Sequence, residues 1–390
     1  MNNMMEPKIR FKGFEGEWKA QSLSDHNFSI IAGGDVDKKL LQNNGKYPVI
    51  ANALTNDGIL GYYMDSFRVN GPAVTVTGRG DIGVAIARHY SFTPVVRLLS
   101  IKSNHNVDFL ANSINCYKAA KESTGVPQLT TAKLQEYRIP IPKEMDEENA
   151  IASYFTSLDS QISAATSHLA SLKQMKVASL QAMFPQEGET VPKIRFKGFE
   201  GEWRTCPLYH FAKKRTEKNT KMLYNITLTN SAEFGIIDQR NFFDHEISNS
   251  ENINGYYVVR DHDFVYNPRI SSSAPVGPIN QNKLGYTGVM SPLYLVFEIN
   301  GINRDFLEIF FHTTLWHKYM FDNGNTGARF DRLAISDEDF MKMPIPDIDI
   351  EEQQAIASYF TSLDRQISLQ SQRLEKLKQI KSACLDKMFV

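Results

Sequence analysis

Pro7-Lys8-Ile9-Arg10-Phe11-Lys12-Gly13-Phe14-Glu15-Gly16-Glu17-Trp18 stands near the start of the chain, and the same twelve residues stand again, letter for letter, at Pro192 to Trp203. A second string, AIASYFTSLD, occupies Ala150 to Asp159 and returns at Ala355 to Asp364, so the first pair is displaced by 185 residues and the second by 205. The chain of 390 residues is an internal duplication, and its unit is far longer than the roughly 20 to 50 residues of a solenoid repeat. Between the repeated strings, from Lys19 to about Arg138 and from Arg204 to about Lys342, almost nothing matches. The frame is duplicated and the inserts are individual. Two like halves can face each other across an approximate two-fold axis and bind two copies of one partner. Unlike inserts on that frame suit one target with two unlike halves.

Length fits two or more globular domains, and 42% hydrophobic residues is ordinary for folded protein. No run of about 18 apolar residues occurs, and the N-terminal MNNMMEPKIR carries no apolar stretch after its charges, so an intracellular, cytoplasmic protein is expected. Cys116, Cys206 and Cys384 lie far apart without a C-x-x-C spacing, which predicts small apolar packing residues and neither a disulfide framework nor a zinc site. Net charge is −1 but unevenly distributed. Lys19 to Pro142 holds 13 Lys and Arg against 9 Asp and Glu, whereas Lys143 to Val191 holds 3 against 7. Arg204 to Pro346 balances at 15 against 16, with its cations bunched at Lys213, Lys214, Arg215, Lys218 and Lys221 and again at Arg329 and Arg332.

Each copy passes from a proline punctuation, IPIP at Ile139 to Pro142 or MPIP at Met343 to Pro346, into an acidic turn and then a long stretch without Pro or Gly. That order predicts a helix start, with Asp146, Glu147, Glu148, Glu351 and Glu352 where the helix dipole favours negative charge, in a capping role. Ile151, Phe155, Leu158, Ile162, Ala165, Leu169 and Leu172 recur at 4-3 spacing, as do Ile356, Phe360, Leu363, Ile367, Leu374 and Leu377. This is the seam of a coiled coil. SLKQMKVASLQAMF from Ser171 matches KLKQIKSACLDKMF from Lys376, so each helix runs about 39 residues, roughly 58 Å at about 1.5 Å per residue. Its obvious partner is its own copy, and an antiparallel pair would act as a ruler between the inserts; the alternative is that each helix packs on its own domain.

The inserts carry β-type runs bounded by Gly, Asn and Pro: Tyr47 to Ile50, Pro72 to Thr77, Gly83 to Arg88 and Val95 to Ile101 in the first, GYYVV, DFVYN and PLYLVFEI in the second. One helix is expected in each, from Val107 through Lys121 and from Arg304 through Met320. An α+β fold follows, with a first domain at 1–142, a central helix at 143–188, a second domain at 189–346 and a C-terminal helix at 347–390. Gly78-Arg79-Gly80-Asp81-Ile82-Gly83 satisfies G-x-G-x-x-G, yet the β-branched, alternating VAIARHY that follows opens no helix, so the string reads as a hairpin turn. Asn267-Pro268-Arg269-Ile270 lacks the second proline and aromatic of an amino-methyltransferase NPP[YF] motif. Nine histidines fall in no metal-binding spacing, and no catalytic constellation is visible.

The PK[IL]RFxGFEGEW string before each insert, the proline motif leading into E-x-x-AIASYFTSLD, and the LKQMK…LQAMF helix ends together give the whole chain a resemblance to the specificity (S) subunits of type I restriction-modification systems, the HsdS family. The resemblance implies two target recognition domains reading a bipartite, asymmetric DNA sequence, helices that set the gap, and no catalysis in this chain. It also implies two methyltransferase (M) subunits and restriction (R) subunits as partners, which would hold the S-adenosylmethionine, ATP and Mg. Base reading uses Arg, Asn and Gln at base edges, with Lys on phosphates. The loop candidates are Asn52, Thr77, Arg79 and Gln128 with Lys38 and Lys39, and Asn267, Arg269, Arg329 and Arg332 with Lys213 and Lys214. Two other classes compete: a stand-alone DNA methyltransferase, and a coiled-coil scaffold bridging two protein partners without touching DNA.

Overall fold

In the computed structural model, residues 5–117, 128–241, 250–325 and 331–389 are described. The chain forms two compact units, Met1–His168 together with Gln370–Val390, and Leu169–Leu369. Each long helix is therefore divided between the units, whereas the sequence boundaries set both helices apart as segments of their own.

In the first unit the order is β1 (Lys19–Ser22), β2 (Phe28–Ala32), β3 (Tyr47–Ile50), β4 (Ile59–Tyr63), β5 (Ala73–Thr77), β6 (Ala85–Arg88), β7 (Thr93–Pro94), β8 (Leu98–Ser103), α1 (Val107–Cys116), α2 (Thr131–Gln135), β9 (Arg138–Ile141) and the start of α3 (Met145–Ala182). An antiparallel sheet runs β2-β8-β5-β6, and a smaller one runs β4-β3-β7. β1 pairs with β9, the IPIP segment, in a two-stranded ladder that tolerates proline because each strand has a free edge. Asn106 caps α1, its side chain accepting from the amides of Asp108 and Phe109.

The second unit repeats the plan with β10 (Arg204–Pro207), β11 (Ala212–Lys214), β12 (Leu228–Ser231), β13 (Gly235–Asp238), β14 (Tyr257–Val259), β15 (Phe264–Tyr266), β16 (Ile279–Gln281), β17 (Gly288–Met290), β18 (Leu295–Ile299), α4 (Arg304–Phe311), α5 (His317–Asn323), α6 (Asp337–Met341), β19 (Pro344–Asp347) and α7 (Ile350–Met388). Its sheet order β11-β18-β15-β16 matches β2-β8-β5-β6 strand for strand, and β10 pairs with β19 as β1 does with β9. The inserts share a fold, in keeping with the one stretch of their sequences that aligns once two residues are inserted, TGVPQLTTAKLQEYRIPIP from Thr124 with TGARFDRLAISDEDFMKMPIP from Thr326.

Two sequence expectations are corrected. The run Val95 to Ile101 is not one strand: Arg97 takes a φ of 74°, and β8 begins only at Leu98. The single helix expected from Arg304 breaks after Phe311, where the Thr313 hydroxyl donates to the Phe310 carbonyl at 2.7 Å and the Trp316 indole N–H donates to the Phe311 carbonyl at 3.0 Å. Those side-chain bonds satisfy carbonyls that further helical turns would have used. The helix from Val107 ends at Cys116, and the part of its expected span from residue 118 onward lies outside the described residues.

The long helices α3 and α7 hold 38 and 39 residues. Within the first unit Lys381 donates to Asp159 at 2.5 Å and the Tyr154 hydroxyl lies 3.3 Å from the Cys384 sulfur; within the second, Lys176 donates to Asp364 at 2.6 Å and the Tyr359 hydroxyl lies 2.8 Å from the Ser179 hydroxyl. Each contact is the other with the helices exchanged, so α3 and α7 run antiparallel within each unit. Seam residues Ile151, Phe155, Leu158, Leu169, Leu172, Ile356, Phe360, Leu363 and Leu374 are buried, with Ile162, Ile367 and Leu377 half-buried. Gln370 is buried between Ile367 and Leu374 and donates to the Ala165 carbonyl at 3.2 Å. A single polar residue in such a seam fixes register.

The seam is also domain core. Ile151 and Phe155 join Trp18, Phe109, Met388 and Phe389 in the first unit, and Ile356 and Phe360 join Trp203, Phe306, Met183 and Phe184 in the second. Phe109 stacks on Phe389 at 5.5 Å and Phe306 on Phe184 at 5.8 Å. Each helix thus begins in one unit's core and ends in the other's.

The acidic turns do more than cap. Arg10 of the first repeat string donates from Nε and Nη2 to Glu147 at 2.7 and 2.8 Å, and Arg195 of the second donates likewise to Glu352 at 2.6 and 2.7 Å. Each guanidinium also bonds a glycine carbonyl of its own string, Gly16 or Gly201, at 2.6 Å. Both carboxylates are almost wholly buried. Removing one partner of such a pair strands a buried charge, so Arg195→Ala is expected to destabilise the second unit by about 3 kcal/mol, with part of that loss recovered when Glu352→Gln is added. Denaturant unfolding of the parent, both single variants and the double variant checks this, and an unshifted Arg195→Ala midpoint would show the clamp to be marginal.

Candidate nucleic-acid interface

β5 ends at Thr77, and the chain turns through Gly78 to Val84 before β6 pairs back antiparallel, Val76 opposite Ala85. The G-x-G-x-x-G string is the hairpin turn expected, with φ values of 76° at Gly80 and 81° at Gly83. Thr77 is buried and organises this turn: its hydroxyl donates to the Asp81 carbonyl and accepts from the Val84 amide. Asn52 holds the turn from outside. Its side-chain oxygen accepts from the Gly78 amide at 2.8 Å while its amide donates to the Val96 carbonyl at 3.1 Å. The Gly78 carbonyl in turn accepts from the Leu129 amide at 2.9 Å, which brings in Gln128.

Four of the residues picked from sequence in the first insert therefore meet around Gly78, and they divide by role. Asn52 and Thr77 build the loop. Arg79 and Gln128 are exposed on it, and Arg79 has no hydrogen bond or ion pair among the described residues. Lys38 and Lys39 are exposed in a neighbouring loop whose start, Gly34, accepts from the Val96 amide at 3.1 Å.

The second unit has the same join. The Pro268 carbonyl accepts from the Leu333 amide at 2.9 Å, as Gly78 accepts from Leu129, and both leucines are buried. Arg269 then corresponds to Arg79 and Arg332 to Gln128. Arg269 and Arg332 bridge antiparallel to each other; Arg269 is exposed, and Arg332 lies 3.6 Å from its neighbour Asp331. Asn267 is buried, donating to the Asn230 carbonyl at 2.9 Å and accepting from the Arg269 amide at 3.0 Å, so it builds this loop as Asn52 builds the other. Arg329 lies outside the described residues.

Lys213 is exposed on β11, while Lys214 pairs with Asp337. Arg215 sits between Asp263 at 2.7 Å and Glu298 at 2.9 Å. The cation cluster seen in sequence is thus partly neutralised within the fold. One exposed cation was missed. Arg97 follows Val96 in the turn that Asn52 ties to Gly78, and its place inside an apolar, β-branched run disguised the turn as strand.

A family model described as the type I restriction modification DNA specificity domain matches residues 16–174. Among curated relatives, a putative type I specificity subunit of Mycoplasma pneumoniae is 31% identical over 142 residues, 35% of this chain and 39% of that protein. A second from the same organism is 29% identical over 167 residues, covering 40% of this chain and 50% of the relative, so the chain spans half or less of the length of these two. A third, the C-terminal portion of another putative type I specificity subunit from that organism, is 34% identical over 105 residues, 25% of this chain and 72% of that relative. The chain belongs to the type I specificity-subunit family. A crystal structure of a type I restriction-modification S subunit from M. genitalium has the same fold, with a TM-score of 0.62 over 99% of both chains at 13% identity. No helix of this S-family chain, among the described residues, is long and apolar enough to cross a membrane.

Gly78 is where the loops touch. A Cβ there would fall inside the shell of the Arg97 carbonyl oxygen and 2.8 Å from that of Leu129. Gly78→Ala is accordingly expected to push the loops apart and lower the first unit's stability by about 1–3 kcal/mol, read as an earlier thermal transition. An unchanged transition would mean that the loops are not pressed together as described.

Proposed function

We propose that the chain is the DNA sequence-specificity subunit of a type I restriction-modification complex. Its two units read the two halves of an asymmetric target, and it directs partner subunits to methylate adenine or cleave DNA. The observation that carries this reading is the same loop join made twice with different side chains: Arg79 and Gln128 in one unit, Arg269 and Arg332 in the other. Arginine and glutamine can each present two hydrogen-bonding atoms to a base edge, so unlike sets on like scaffolds read unlike sequences. Lys38, Lys39 and Lys213 would add phosphate contacts that set position and carry no sequence information.

Two methyltransferase subunits would use the duplicated frame. Ser153, Thr156 and Ser157 are exposed on α3, the identical Ser358, Thr361 and Ser362 are exposed on α7, and the identical Ile9 and Ile194 are exposed in the repeat strings. Residues that are exposed in both copies and identical between them suit one partner bound twice. Restriction subunits would join that assembly, and S-adenosylmethionine, ATP and Mg would be held by the partners. The helical length between the two units' loops would then set the gap in the target.

The test is a genome-wide map of methylated adenines in a methylation-free host that expresses this chain with a methyltransferase subunit encoded beside it. The expected result is a split, asymmetric motif with a fixed gap that vanishes when this chain is omitted. A continuous palindrome, or methylation indifferent to this chain, would refute two independent readers.

A further inference from the structure

We infer that Arg97 is a base-reading residue of the first unit, acting in one patch with Arg79 and Gln128; this rests on the DNA-reading function proposed above. Four arginines lie between Gly34 and Ser103, and the fold uses two of them. Arg88 is buried, bonding the Thr75 and Tyr90 hydroxyls and the Asp57 carbonyl, and Arg68 donates to the Asp35 carbonyl. Arg79 and Arg97 are exposed and have no hydrogen bond or ion pair among the described residues, and Asp81, the acid of the Arg79 loop, pairs with neither.

Backbone geometry fixes Arg97 beside Arg79. Ahead of it the Val95 amide donates to Ile50 at 2.8 Å, the Val96 amide to Gly34 at 3.1 Å, and the Val96 carbonyl accepts from Asn52; behind it the Leu98 amide donates to Val95 at 3.0 Å. The Arg97 carbonyl lies against Gly78, close enough that only glycine fits there. Arg79 is the residue after Gly78, and Gln128 precedes the leucine bonded to Gly78. Three exposed side chains able to make paired hydrogen bonds therefore leave one point of the backbone.

Arg97 also stands at a φ of 74°, where glycine is the less strained choice. An arginine on such a backbone, unpartnered among the described residues and at a junction of loops, is free to act outside the fold. An arginine fork matches the two acceptors of guanine in the major groove in one rigid plane, whereas lysine brings a flexible, strongly hydrated point charge.

The experiment maps adenine methylation for the parent chain, Arg97→Gly and Arg97→Lys, each with the methyltransferase subunit, alongside thermal melting of each purified complex. Arg97→Gly is expected to melt within about 2 °C of the parent, because glycine accepts the backbone conformation. Discrimination at a base pair in one half of the motif is expected to fall on the order of 10- to 100-fold in both variants, with the other half and the gap unchanged. An unchanged motif in Arg97→Gly, or a uniform fall at every site with the same consensus, overturns base reading by Arg97 while leaving the two-reader function intact. Absence of a split motif from the parent overturns that function and this inference with it. Early melting of Arg97→Gly passes the decision to Arg97→Lys, where a parental motif overturns the inference.

Discussion

A buried ion pair made twice holds the frame together. Arg10 on Glu147 and Arg195 on Glu352 join each repeat string to the first turn of a long helix through two parallel hydrogen bonds. A bidentate guanidinium–carboxylate pair has one geometry, which a lone charge at a helix terminus lacks. The glycine carbonyls that each guanidinium also binds fold the string around it. The helix start, the strand that follows Trp18 or Trp203, and the proline strand that pairs with it are fixed by this knot, from which each variable insert departs and to which it returns.

The helix pair follows from that constraint. Because both helices begin at equivalent knots and end on equivalent aromatic clusters, the same contact appears in both units with the helices exchanged. Neighbouring carboxyl-side partners differ where the copies may differ: Glu148 receives the His105 ring and the Asn106 amide, whereas Gln353 receives the Asn303 amide. Both arrangements support the cap of the helix that carries Phe109 or Phe306 into the core. The packing role is kept although one copy uses a charge and the other an amide.

The sequence made the duplication, the helix lengths, the seam and the hairpin turn legible, since each is written in local periodicity or literal repetition. It could not show that Ile151, Phe155, Ile356 and Phe360 serve a domain core as well as a seam, because a 4-3 pattern marks a face as apolar without naming what covers it. Of the loop candidates, residue type alone could not separate Asn52, Thr77 and Asn267, whose polar groups the fold uses, from the exposed Arg79, Arg269 and Gln128. That separation depends on long-range pairing. Arg97 was hidden for a related reason: a backbone turn imposed by bonds to Asn52, Ile50 and Gly34 overrides a run that reads locally as strand.

The same bonds explain how inserts can diverge while their fold persists. Leu129 meets Gly78 and Leu333 meets Pro268 through backbone amide and carbonyl groups, and the leucine side chains are buried in each unit's core. Such a join specifies neither the residue after Gly78 or Pro268 nor the residue before each leucine. Those two positions carry Arg79 and Gln128 in one unit and Arg269 and Arg332 in the other. Side chains there can change without disturbing a hydrogen bond that the scaffold needs, and three of the four, Arg79, Gln128 and Arg269, are exposed, with Arg332 half-buried. A scaffold built this way separates the stability of the fold from the chemistry displayed at the loop tips.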